Sequence, residues 1–256
     1  MKKLLILSAL FLFALGLRAQ TDTKADFSSV ASSGQVLYYK VVGDGEVTLW
    51  YHNEYPEMLG GHVVVPRFVR HQGRNYVVTA VADNAFANCI RMQAMELPNT
   101  LYTIGDKAFY RCADLRTITM PESLESIGAQ AFEGCGELLD VVMPDAVTSV
   151  GACAFKDCVK VRHFVISHQL EAIPEGCFQN CAAVTDFIIP ASVKTLGKGC
   201  FDGCVRNSSV LFFGFEPPVP ELEPAFPVDV PITVFRKAFD AYKASYIWGQ
   251  YQIRQM

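Results

Sequence analysis

The chain has 256 residues, a formal charge of −4 at neutral pH and 51% hydrophobic residues. That composition is too apolar for a disordered chain, and the length suffices for one elongated core. The acidic balance argues against nucleic acid or an anionic membrane surface as a partner.

Residues 1–19 read as a secretory signal: Lys2 and Lys3, an apolar run from Leu4 to Leu17, then small Ala19 before the expected cut. The run is short for a membrane span. Cleavage would remove Lys2, Lys3 and Arg18 and take the charge from −4 to −7. No second span of about 20 apolar residues is present, and no cysteine near the cut could carry a lipid. The expectation is an exported protein, periplasmic, cell-surface or secreted, without membrane insertion after cleavage.

Residues 20–35 are small and polar and are expected to form a flexible leader. Residues 36–78 are read as a β-rich N-terminal cap. Val36–Val42 and Val47–Tyr51 are β-prone runs joined by the hairpin signal Gly43-Asp44-Gly45, and Gln72-Gly73-Arg74-Asn75 is a turn between later strands. Such a cap would cover the open end of a stack of repeats.

From 79 to 213 the chain is periodic. Phe86, Phe109, Phe132, Phe155, Phe178 and Phe201 each precede a cysteine by three residues, at Cys89, Cys112, Cys135, Cys158, Cys181 and Cys204. The step is 23 residues throughout, in an Ala-Phe-x-x-Cys pattern. A fixed period of this length marks a solenoid, here of six coils. Met95, Ile118, Val141, Phe164, Phe187 and Val210 form one inward column. Leu97, Met120, Met143, Ile166, Ile189 and Phe212 form a second, two residues on, as in a strand with one buried face. Pro98, Pro121, Pro144 and Pro190 end four strands, with Ser167 at the fifth. Gly105, Gly128, Gly151 and Gly197 suit a tight bend, with Pro174 as the exception. The Ala-Phe-x-x-Cys segment is expected to make one helical turn.

Nine cysteines in an exported chain suggest disulfides. Six of them share one column, however, and neighbouring coils lie about 4.8 Å apart with parallel Cβ vectors, a poor geometry for bridging. They read as buried thiols that fill space. Cys177 and Cys200 share a different column and are the pair to expect if any bridge forms.

The string Leu115-x-x-Ile118-x-Met120-Pro121-x-x-Leu124-x-x-Ile127-Gly128-x-x-Ala131-Phe132-x-x-Cys135 resembles the bacterial leucine-rich repeats of the BspA-like class. The resemblance covers about 75–212 and implies a leucine-rich-repeat solenoid of α/β type. A parallel β-sheet would line its concave side, with short helical turns opposite. It also implies surface adhesion or protein binding and brings no catalytic residues. Asn207 and Phe213-Gly214 depart from the pattern, so the solenoid is expected to stop at 213. Residues 214–256 then form a small C-terminal cap: a Pro-rich strap, a strand at Ile232–Phe235 and a short amphipathic helix within Lys237–Trp248, carrying Ala238, Phe239, Tyr242 and Tyr246.

Neither Gly-x-Ser-x-Gly nor His-Glu-x-x-His occurs, and the paired cysteines Cys177/Cys181 and Cys200/Cys204 lack two further zinc ligands. No enzyme, cofactor or metal is expected. Interest falls on the outward strand columns. One reads Glu96, Thr119, Val142, Val165, Ile188, Leu211; its neighbour reads Ala94, Thr117, Asp140, His163, Asp186, Ser209. Stacked in register, these give an aliphatic stripe bordered by Asp140, His163 and Asp186, a candidate surface for a host or bacterial protein or for a second copy of the chain. The alternative is a glycan-binding or scaffold module of the cell envelope. For that reading Trp50, Tyr51 and Tyr55 are the one aromatic cluster available.

Overall fold

The computed structural model describes residues 25–50, 59–204, 209–221, 226 and 230–256. The expected signal segment lies outside them. The N-terminal strands are β1 (Phe27–Val30), β2 (Val36–Gly43), β3 (Glu46–Leu49), β4 (Gly60–Val64), β5 (Phe68–His71) and β6 (Arg74–Val81). The stretch read as a leader is therefore partly ordered. Phe27 is buried against Tyr39 and β1 pairs antiparallel with β2, because apolar Phe27 supplies a core anchor inside a polar run.

Longer and two-residue strands then alternate. They are β7 (Arg91–Glu96), β8 (Thr103–Ile104), β9 (Thr117–Thr119), β10 (Ser126–Ile127), β11 (Asp140–Val142) and β12 (Ser149–Val150). The alternation continues with β13 (His163–Val165), β14 (Ala172–Ile173), β15 (Asp186–Ile189), β16 (Thr195–Leu196), β17 (Ser209–Phe212) and β18 (Val219–Pro220). The chain closes with β19 (Ile232–Val234), helix α1 (Phe239–Ala244), a 3-10 turn at Trp248–Gln250 and β20 (Ile253–Gln255).

Each coil thus has three sides: a long-strand face, a short-strand face and a turn corner. Pairing between coils is parallel and keeps the 23-residue register, as in Ser126↔Ser149 and Val141↔Phe164. The cap joins this winding. β3 pairs parallel with β6 on the short-strand side, and β4 with β7 on the long-strand side.

The turn corner is not helical. Its backbone alternates between two kinds of bond: Cys89 N–H donates to the Phe86 carbonyl in its own coil, whereas Phe86 N–H donates across to the Ala108 carbonyl of the next. Residues two before and two after each phenylalanine have positive φ, among them Asn84 and Asn88, Gln130 and Gly134, and Gly199 and Gly203. Left-handed residues four apart cannot belong to a right-handed helical turn. Among the described residues α1 is the single α-helix, so the fold is a β-solenoid with almost no helix rather than an α/β repeat.

Inside the corner the six phenylalanine rings stack face to face, with centroids 5.1–5.3 Å apart from Phe86 to Phe155 and 6.0 Å between Phe155 and Phe178. The cysteine column does more than fill space. From Cys112 onward each column thiol donates to the phenylalanine carbonyl of the preceding coil, as in Cys112 Sγ to Phe86 at 3.1 Å and Cys135 Sγ to Phe109 at 3.1 Å. All nine cysteines are free, Cys177 and Cys200 included. Burial pushes the thiols of Cys112, Cys135, Cys158 and Cys181 up, Cys135 to about 12, because a thiolate there would lose its hydration.

The glycine column acts through proximity rather than bending. None of Gly105, Gly128, Gly151 or Gly197 has positive φ. A Cβ at Gly128 would sit 2.5 Å from the Asp106 nitrogen, and one at Gly197 would sit 2.3 Å from the Glu175 nitrogen. Each glycine N–H donates to the preceding coil, Gly128 to Ile104 and Gly151 to Ile127, both at 2.8 Å. Glycine is the residue that lets backbone meet backbone there.

The winding also continues past 213. β18 pairs with β16, β19 with β17 and β20 with β19, all parallel. Phe226 stacks on Phe201 at 4.5 Å and extends the aromatic column. The end is closed by Tyr242 and Trp248, both buried, with Trp248 Nε1–H donating to the Pro218 carbonyl at 2.8 Å. Tyr246, expected on the buried face of the C-terminal helix, is 87% exposed, because α1 ends at Ala244 and turns it outward.

Candidate functional site

The outward side chains of the long strands are placed by the period-two alternation of β-structure. Val141, Phe164 and Phe187 enter the core, and their neighbours point out. Cα partners are Glu96↔Thr119 and Ala94↔Thr117, then Val142↔Val165 and Asp140↔His163, then Ile188↔Leu211 and Asp186↔Ser209. The sequence-derived columns therefore come together as three in-register pairs.

They do not form one unbroken ladder. The long strands divide into sheets β4-β7-β9, β11-β13 and β15-β17-β19-β20. The stripe survives as an exposed surface: Val142 is 60% exposed, Val165 46% and Ile188 49%, while Leu211 is half-buried. Of the strap's described residues, strand β18 joins the short-strand face and not the stripe.

The polar border is modest in its chemistry. Glu96 is held by His62, Nε2 to Oε1 at 2.8 Å, so the first residue of the column is tied to the cap. Ser209 Oγ donates to Asp186. Thr117, Thr119, Asp140 and His163 are exposed, with no side-chain hydrogen bond between Asp140 and His163. The neighbouring pair Asp145 and His168 meets at 2.9 Å, and that contact holds the Asp145 carboxyl below its ordinary range.

The outward columns, stopped at 213, leave out one feature of this face. Exposed Phe213 and Phe215 and half-buried Phe235 form an aromatic group beyond the end of the stripe, with Phe213 and Phe235 at 5.2 Å and Phe215 and Phe235 at 6.3 Å. Phe213 lies two residues after Leu211 and Phe235 two after Thr233, so both fall on outward positions of adjacent strands. The signal is present in that spacing, but ending the solenoid at 213 hides it. Of the glycan candidates, Trp50 packs against the core with the Lys40 ammonium 4.9 Å over its ring. Tyr51 and Tyr55 lie outside the described residues.

No group of three or more His, Cys, Asp or Glu side chains placed to hold a metal ion occurs among the described residues. None of the described helices is long and apolar enough to cross a membrane.

A stack of parallel strands wound at a 23-residue period, with phenylalanine and cysteine columns inside, defines a leucine-rich-repeat type of solenoid. The family described as BspA type leucine rich repeat region matches in six copies over residues 79–207, just over half of the chain. The chain belongs to that family. Among solved structures it is similar to a leucine rich cell surface protein from Faecalibacterium prausnitzii A2-165, with 22% identity and a TM-score of 0.57 over 85% of this chain and 68% of that one. It is also similar to the leucine rich repeat protein of T. pallidum, with 25% identity and a TM-score of 0.52 over 67% of this chain and 87% of that one. No curated protein matches the sequence significantly.

Proposed function

We propose that the protein is an exported, non-enzymatic binding module that engages a protein ligand through the long-strand face. The observation that carries this reading is the stripe Val142, Val165 and Ile188, three large aliphatic side chains about half exposed on adjacent coils. Leaving them in water gives up burial free energy of about 25 cal/mol per Å². Contiguous exposed apolar surface of this kind marks interfaces. The Phe213, Phe215 and Phe235 group extends the apolar surface at one end, and Asp140, His163 and Asp186 supply a polar rim. Export rests on the signal-like residues 1–19, and one fold neighbour carries the description of a cell surface protein.

The test is a Val165→Asp, Ile188→Asp double variant. Both side chains are outward, so the melting temperature should hold while capture of surface proteins from host and bacterial extracts is lost. Sedimentation of the same pair of proteins separates ligand binding from pairing of two copies. Equal capture by wild type and variant would remove the stripe from the interface.

A further inference from the structure

The short-strand face is open at one joint. Sheet β1-β2-β3-β6-β8-β10-β12 ends at β12, and a new sheet, β14-β16-β18, begins one coil later. At the joint before it, Thr148 N–H donates to Glu125 and Gly151 N–H to Ile127; at the joint after it, Lys194 N–H donates to Glu171 and Gly197 N–H to Ile173. No such bond links 148–151 to 171–174, all of them among the described residues. The turn corner of the same two coils stays joined, by Cys153 N–H to Glu175 and Phe155 N–H to Cys177, and β11 still pairs with β13.

Pro174 accounts for the opening. It stands in the glycine column, has no N–H to donate, and carries a ring where even one added carbon would meet the preceding coil at about 2.5 Å. The coils part on the short-strand side alone, since backbone bonds still join the turn corner. Between the lips lies a cavity of about 400 Å³ lined by Thr148, Ser149, Val150, Leu170, Glu171 and Ala172.

We propose that this gap is a docking site for an extended peptide segment carrying a basic side chain. The groups left over are strand-edge groups, the Thr148 and Val150 carbonyls on one lip and the Glu171 N–H on the other, and their chemical complement is another backbone in extended form. The cavity is of ligand size. Glu171 is its one ionisable lining group and forms no ion pair among the described residues, which selects for lysine or arginine in the incoming segment. The site lies on a different side of the coil from the stripe and stands or falls separately from it.

The probe is an acetylated, amidated Thr-Val-Lys-Val-Thr peptide titrated into the full chain and followed by amide NMR shifts. Saturable shifts at Ser149, Val150, Glu171 and Ala172 are expected, absent for the N-methylated peptide. Glu171→Gln should weaken binding by about tenfold, the worth of one charge-assisted contact. Pro174→Gly, which restores the residue found at four other joints, should close the gap and abolish binding without unfolding the chain. A peptide that leaves these amides unmoved at millimolar concentration, or that binds Pro174→Gly equally well, would overturn the proposal.

Discussion

The coils closed by Gly105, Gly128 and Gly151 and the coil closed by Pro174 share a length, a phenylalanine, a cysteine and a strand, yet they are joined differently. The first three zip along the long-strand ladder or its flanking bonds, the short-strand ladder and the turn corner, and the fourth meets its predecessor on two sides out of three. The inward columns are equally apolar on both sides of the fault, so hydrophobic burial holds the stack together in both. What differs is whether backbone can touch backbone at one position per coil.

The largest effect should come from the shared part. Phe132→Ala removes a ring stacked at 5.1 and 5.2 Å on its neighbours and should destabilise by about 3–5 kcal/mol, read from chemical denaturation. A cost below about 1 kcal/mol would mean that the corner is not a packed core.

Gly128→Ala should come second, at about 1–3 kcal/mol, because its Cβ has backbone atoms at 2.5 Å on the preceding coil. The same change at Gly45, with nothing within 4 Å, meets no such neighbour and tests steric approach against the backbone strain of its positive φ.

Next is the alkaline limit. Burial raises the thiols of Cys112, Cys135, Cys158 and Cys181, so the unfolded chain releases those protons first, from about pH 8.5. Stability is therefore intact below that pH and falls as pH rises, through the folded value of about 12 for Cys135. One thiol accounts for about 1.4 kcal/mol per pH unit. Replacing Cys135 with alanine should flatten the dependence of the melting temperature on pH between 8.5 and 10 by that share. A bridged column would give no such slope and would respond to reductant instead.

How far these differences can be read in the sequence varies with their cause. Alternation and the 23-residue step carry the inward columns and the outward stripe directly, since each is a matter of period. The turn corner reads as helical from its length alone, although the contrary sign is there: Asn88, Gly134, Asp157, Asn180 and Gly203, two residues after five of the six phenylalanines, are the types that accept positive φ. The C-terminal winding escapes the period because Phe226 lies 25 residues after Phe201, outside the fixed step, and the aromatic group at Phe213 and Phe235 is lost with it. Pro174 stands out as an exception, but its consequence depends on an approach of about 2.5 Å between coils that no single-chain pattern contains.

The smallest energetic change gives the most direct test, because closing the fault with Pro174→Gly trades a hydrogen bond worth about 1 kcal/mol against a similar gain in unfolded-chain entropy. The measurement is residue-resolved amide exchange. In the wild type the Glu171 amide should exchange fast while its equivalents Thr148 and Lys194, bonded at 3.0 and 2.7 Å, exchange slowly. In Pro174→Gly, Glu171 should slow to match them. A Glu171 amide already as protected as Thr148 in the wild type would contradict the claim that one proline opens the ladder.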